Sequence, residues 1–205
     1  MNTPARFAVA LLLLARAAPA VADAASAWTE DYDEDFQKYS QRYFGLSHDW
    51  RWFKAQAIAE STLDPLARSK YGALGLMQLM PATFAEIRQK NPEFIDMRIN
   101  RWNIAAGIWY DRQLYLTQTW RSFADPDRLL ISFAAYNAGL GTALDAFDEV
   151  PAPVKGWPDV APHLPDGPRS YVERIVTLKR VLPRQSHDPR HRGYSRRFSD
   201  FPVWP

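Results

Sequence analysis

Glu60 is the residue whose type and setting most directly suggest chemistry. When the segment from Trp50 to Glu60 is laid on a helix that turns about 100° per residue, Trp50, Phe53, Ala57 and Glu60 fall within an arc of roughly 80°. A carboxyl group is thereby set on an apolar stripe. Burial against aromatic and aliphatic side chains strips hydration from the ionised form, raises the pKa and favours the protonated acid. A carboxylic acid that keeps its proton near neutral pH is what general acid catalysis requires. This helix alone leaves open a plainer reading, a Glu at a helix end that points into solvent or caps a neighbouring amide.

The elements around Glu60 read as helices almost throughout. Phe36, Tyr39, Tyr43 and Phe44 have the spacing of a first amphipathic helix that Gly45 ends, and Ser47 or Asp49 is placed to cap the helix carrying Glu60. Asp64-Pro65 signals a turn, after which an irregular stretch with two glycines runs to Pro81, the expected first residue of a helix over 81–90. A longer helix is expected from Asn100 or Arg101 toward Trp120, and a nearly all-apolar one over Asp127–Tyr136, capped by Asp125 and buried. A short helix over Thr142–Phe147 follows. The proline-rich stretch from Pro151 to Pro168 has no periodicity and reads as a long surface loop. A last helix carries Tyr171, Ile175, Leu178 and Leu182 in one stripe and stops at Pro183. The expected class is mostly α with little or no β.

Length and composition narrow the possibilities further. A chain of 205 residues suits one domain with a real core. Arg6, the apolar run Ala8–Ala15 and small residues at Ala18, Ala20 and Ala22 read as an export signal over residues 1–22, too short in its apolar core to span a bilayer. Cysteine is absent, which excludes disulfides and a cysteine-linked lipid anchor, so the expectation is a soluble, exported, periplasmic protein without a membrane anchor. The formal charge of +2 argues against a nucleic-acid partner. Charge is instead segregated: an acidic block, Glu30 to Asp35, opens the segment 23–43 that ends in the first helix, and the tail over 183–205 is rich in Arg and Pro. That tail reads either as a solvated extension or as a docking element for an envelope protein partner.

Five separated stretches carry a family resemblance. Glu60-Ser61, Gly72-Ala73-Leu74-Gly75-Leu76-Met77-Gln78-Leu79-Met80-Pro81, Asn103-Ile104-Ala105-Ala106-Gly107, Ala134-Ala135-Tyr136-Asn137-Ala138-Gly139 and Tyr171-Val172 resemble the soluble lytic transglycosylase (SLT) domain, in its usual motif order. The resemblance covers residues 44–182. It implies a lysozyme-like helical domain with a glycan-binding cleft, and a peptidoglycan lytic transglycosylase, acting without a cofactor or metal on glycan strands. Carried over by motif, Glu60 is the single catalytic acid and base, and Ser61 contacts the sugar's N-acetyl region. Met77 and Gln78 line the cleft, Tyr136 orients the glutamate, Asn137 hydrogen-bonds the sugar, and the Tyr171 hydroxyl reaches Glu60. Asp166-Gly167-Pro168-Arg169-Ser170 departs from the acidic residue and threonine often found before the last tyrosine.

The resemblance also implies a particular reaction. Ordinary glycosidases use two carboxyl groups across the scissile bond. Asp64, the nearest second candidate, is better explained as a turn residue. With one carboxyl, Glu60 would protonate the oxygen between N-acetylmuramic acid and N-acetylglucosamine, then accept the proton of the muramic C6 hydroxyl as it closes on C1 to leave a 1,6-anhydro end. Two alternatives stand beside this: a lysozyme-like muramidase in which water attacks, and a wall-binding accessory of an envelope-spanning assembly. Of the eight tryptophans, Trp157 in the proline-rich loop is the one read as a sugar platform, while Trp50, Trp52, Trp102, Trp109 and Trp120, in or at the ends of helices, read as core.

Overall fold

The computed structural model describes residues 28–183, so the expected export signal and the tail beyond Pro183 lie outside the described residues. Among the described residues eight helices follow one another: α1 (Asp33–Phe44), α2 (Arg51–Ser61), α3 (Pro81–Lys90), α4 (Asn100–Tyr115), α5 (Asp127–Ala138), α6 (Leu140–Asp148), α7 (Trp157–Val160) and α8 (Asp166–Val181). Two 3₁₀ turns, Gln118–Trp120 and Ala161–His163, complete the set. Among the described residues the only β pairing is two isolated bridges, Arg68 with Leu74 and Leu74 with Leu79.

The apolar run of α5 explains the arrangement. Every residue from Leu129 to Ala135 is buried, a pattern that only a helix covered on all sides tolerates. Helices α4, α6, α7 and α8 pack around it, α2 lies along α8, and α1 lies along α4. Ser132, the one polar residue in the run, donates its hydroxyl to Arg128 O one turn back at 2.8 Å. Helix α1, which sequence places ahead of the domain, buries Phe36 and Tyr39 in this common core. Its acidic first turn, Asp33 to Asp35, sits at the positive end of the helix dipole. There Asp33 pairs with the buried Lys54 ammonium at 2.5 Å, tying α1 to α2.

Three boundaries differ from expectation. Helix α4 stops at Tyr115 rather than running to Trp120, because Trp120 folds back and donates its indole N–H to Leu114 O at 3.0 Å. Asp125 does not cap α5; its carboxylate takes the His48 imidazole and the Tyr115 hydroxyl, both at 3.1 Å. The stretch 151–168 is not a plain surface loop, since α7 and the turn after it bury Val160 and Leu164 against the core. Trp157 is only half-buried, like Trp50, Trp52, Trp102 and Trp109, while Trp120 is fully enclosed.

Candidate active site

Glu60 occupies the last turn of α2, one residue before the helix ends at Ser61. Thr62 and Leu63 then turn the chain through the left-handed region, at φ 56° and 61°, a conformation uncommon for residues with a Cβ and often held at functional sites. The carboxyl group is half-buried, and the Tyr171 hydroxyl on α8 donates to its Oε1 at 2.6 Å. Burial pushes the Glu60 pKa up to about 7, against the lowering effects of the Tyr171 hydrogen bond and the Arg174 charge. The last turn of α2 contains no basic residue, and the negative end of the helix dipole adds to the cost of ionising there.

The loop over residues 64–80 follows α2 in the chain and is held by side chains from three helices as well as by its own. Asp64 is exposed and accepts the Leu66 N–H at 2.8 Å, the turn role expected of it. Ser61 bridges α2 to the loop through Leu76 O at 2.9 Å and Ala57 O at 3.1 Å. Asn103 on α4 is buried and fully used: Oδ1 accepts the Met77 N–H at 2.7 Å, while Nδ2 donates to Leu74 O and Met97 O at 3.0 Å. Tyr136 on α5 donates its hydroxyl to Met77 O at 2.8 Å. Gln78, itself left-handed at φ 45°, folds its amide back to Gly75 O at 2.9 Å and Ala67 O at 3.2 Å.

Two glycines make this packing possible. At Gly75, where φ is +76°, a Cβ would stand 2.6 Å from Asn103 Nδ2; at Gly107 it would stand 2.8 Å from Met77 Cβ. The Met77 side chain therefore drops into the core over α4.

The structure thus divides the residues singled out by sequence. It brings Glu60 and Tyr171 into contact. Met77 does not line an open face as expected, since its side chain is fully buried. Tyr136 gives its proton to the loop rather than to the glutamate, because Met77 O stands within reach. The Ser61 hydroxyl is likewise directed to backbone carbonyls, and Gln78 secures the turn it stands on. Asn137 lies exposed at the end of α5. Two hollows elsewhere, along α3 (Pro81, Phe84, Arg88) and between the starts of α2 and α5 (His48, Trp52, Asp125), contain none of these side chains.

Sequence reasoning missed two polar residues behind Glu60. Asp111 on α4 and Gln56 on α2 are both fully buried and joined by Gln56 Nε2 donating to Asp111 Oδ1 at 3.1 Å. The signal was available: Asp111 continues the stripe of Ile104 and Ile108, as Glu60 continues that of Phe53 and Ala57.

Comparison with known proteins meets this geometry from another side. The family model described as the transglycosylase SLT domain matches residues 36–155. A membrane-bound lytic murein transglycosylase F from Maricaulis maris is 35% identical over 124 residues, covering 58% of this chain and 26% of that protein. The chain spans about a quarter of the length of the curated relatives it matches. Among solved structures, an inactive mutant of the lytic transglycosylase Slt from Pseudomonas aeruginosa superimposes with a TM-score of 0.60 at 23% identity, over 73% of this chain and 23% of that one. The 70 kDa soluble lytic transglycosylase SLT70 from Escherichia coli gives 0.55 at 23% identity, over 73% and 24%. The shared helical frame is that of the lysozyme-like lytic transglycosylases. With the family model spanning more than half of its length, this chain belongs to the transglycosylase SLT domain family.

Proposed function

We propose that the protein is a peptidoglycan lytic transglycosylase that cleaves the bond between N-acetylmuramic acid and N-acetylglucosamine without water. The observation that carries this reading is the Glu60 carboxyl, with a pKa near 7 and its Oε1 held by Tyr171 at 2.6 Å. A carboxyl titrating there is protonated often enough to act as an acid and ionised readily enough to act next as a base.

Oε1 takes the tyrosine hydroxyl, leaving Oε2 to the substrate. Glu60 gives its proton to the glycosidic oxygen, the bond from muramic C1 breaks, and N-acetylglucosamine leaves as the alcohol. The muramic C6 hydroxyl then bonds to C1 and passes its proton to the Glu60 carboxylate, which restores the acid. Atoms and charge balance over the cycle with no co-reactant. Closure is intramolecular, so holding the ring in place does much of the work. Tyr171 stabilises the carboxylate between the two transfers, since its hydrogen bond favours the ionised form.

Ser61, Met77, Gln78 and Tyr136 serve this reaction by fixing the loop that follows Glu60 in the chain, and Asn137, exposed at the end of α5 next to Tyr136, is the residue we assign to direct contact with the sugar. The setting is the periplasm, where the substrate lies. Recruitment to an envelope partner through the Arg-rich tail is part of the same reading, supported by the segregation of charge in the sequence.

The test is mass analysis of muropeptides released from purified sacculi. The expected products end in 1,6-anhydromuramic acid and vanish in Glu60→Gln. Reducing muramic ends would instead establish a muramidase, and undiminished lysis by Glu60→Gln would remove Glu60 from the chemistry. Deletion after Pro183 should leave lysis of purified sacculi unchanged while reducing envelope recruitment, read by fractionation.

A further inference from the structure

The reading of Glu60 leaves unexplained a second acidic side chain enclosed just behind it. Asp111 and Gln56 are both at 0% exposure, yet they share a single hydrogen bond, Gln56 Nε2 to Asp111 Oδ1. Among the described residues, Asp111 Oδ2 and Gln56 Oε1 have no partner at all. Leaving one buried polar atom unpaired is costly, and here there are two, one on each of two side chains already in contact. As an ionised carboxylate, Asp111 would have only acceptor oxygens, and the unpaired end of the amide, Gln56 Oε1, is an acceptor too. One proton removes both deficits, because a protonated Oδ2 is a donor and Oε1 is the acceptor it lacks.

Charged groups nearby do not favour the alternative. Asp111 lies on α4 and faces Glu60 from α2, Tyr136 from α5 and Tyr171 from α8, with Tyr110 beside it on its own helix. All are acidic groups. The cation that bears on this cluster, Arg174, acts on Glu60 from its exposed side. Burial above all, and the neighbouring Glu60 carboxyl with it, drive Asp111 toward the neutral form and outweigh the Gln56 hydrogen bond, which favours the ionised one.

We propose that Asp111 is a positioning residue for the reaction: it carries a proton on Oδ2, donates it to Gln56 Oε1, and closes a two-bond acid–amide ring joining α2 to α4 behind the catalytic carboxyl. Gln56 stands one helical turn before Glu60, on the same side of α2. The ring therefore fixes the turn from which Glu60 projects, and it does so without placing a second negative charge beside it. An ionised Asp111 would oppose each formation of the Glu60 carboxylate; a neutral one lets Glu60 cycle. The proposal rests on Glu60 being the acid and base.

The test compares the full-length protein with Asp111→Asn and Asp111→Leu. Asparagine reproduces the neutral ring, its amide donating to Gln56 Oε1, whereas leucine leaves both polar ends of Gln56 unpaired. The carbon-13 carboxyl resonances of the wild type should include one aspartate that stays at its protonated shift through neutral pH and is missing in Asp111→Asn. Asp111→Asn should unfold at or above the wild-type midpoint at neutral pH, because the wild type must take up a proton on folding there and asparagine need not, and it should keep the same pH profile of wall lysis. Asp111→Leu should lose about ten- to a hundredfold in kcat with little change in KM. The proposal is overturned if the Asp111 resonance is that of a carboxylate at neutral pH. It is overturned equally if Asp111→Asn fails to fold, if its alkaline limb moves to lower pH, as removal of a real negative charge requires, or if Asp111→Leu retains full kcat. Absence of wall lysis in the wild type would instead count against the enzymatic reading, and the resonance would still decide the state of Asp111.

Discussion

At the scale of single residues, the acid that matters is set by opposing effects of known sign. Burial raises the Glu60 pKa to about 7, while Tyr171 and Arg174 pull it down. The first proton transfer needs the protonated acid, so kcat/KM should fall on the alkaline side with an apparent pKa near 7. Arg174→Gln removes a positive charge that favours the carboxylate, and the alkaline limb should move to higher pH; a shift to lower pH would contradict the electrostatic account. Tyr171→Phe should move the limb in the same direction and also reduce kcat about tenfold, because the carboxylate formed midway loses a charge-assisted hydrogen bond. Steady-state kinetics on a soluble glycan across pH separate the two variants.

At the scale of elements, the loop over residues 64–80 depends on Asn103, which stands in a quoted motif without an assigned role, more than on any residue to which sequence assigns one. Asn103→Ala leaves the Met77 N–H and the Met97 carbonyl without this partner and takes one of two donors from the Leu74 carbonyl, which keeps the Leu79 N–H, and should cost about 3 kcal/mol in unfolding free energy with a fall in activity. Gly107→Ala should cost about 1–3 kcal/mol by pushing Met77 out of its seat. Urea denaturation checks both values. Asn103 and Gly107 stand together in one of the motifs legible in sequence, yet periodicity showed only that their helix is buried. The helices themselves were readable because each carries a continuous apolar stripe or run, as α5 does from Leu129 to Ala135. Tyr171 could be assigned to Glu60 through its motif. The partners of Ser61 and Tyr136 could not be read, because a hydroxyl takes whichever carbonyl the fold brings near, and that depends on contacts 15 and 59 residues away. Asp111 is a different case: it continues the stripe of Ile104 and Ile108, so its burial is legible in sequence, whereas its partner Gln56 lies on another helix 55 residues away and is not.

For the whole molecule, Glu60 and Asp49 illustrate how carboxyl groups link stability to pH with opposite signs. Glu60 has its pKa raised from 4.5 to about 7, so the folded state holds a proton that the unfolded chain releases. Its contribution is complete below about 4.5 and is lost as pH rises through about 7. Asp49 is the reverse case. Arg51 at 2.5 Å and Lys179 at 3.2 Å outweigh its burial and hold its pKa at about 2, so its contribution is present above 3.8 and lost as pH falls toward 2. The unfolding midpoint should therefore decline from both sides. Glu60→Gln should flatten part of the decline between about 4.5 and 7, and Asp49→Asn the decline below 3.8; calorimetry over this range measures both.

Arg51 also donates to Leu182 O at 3.1 Å, which pins the end of α8 to the beginning of α2. Nine residues of helix, about 14 Å, separate that anchor from the turn bearing Glu60. Cargo fused after Pro183, whether a fluorophore, an affinity handle or a surface linker, would thus emerge from the pole of α2 opposite Glu60 and leave the Glu60 end unobstructed, so the carboxyl-terminal side is the one to choose for immobilising the protein.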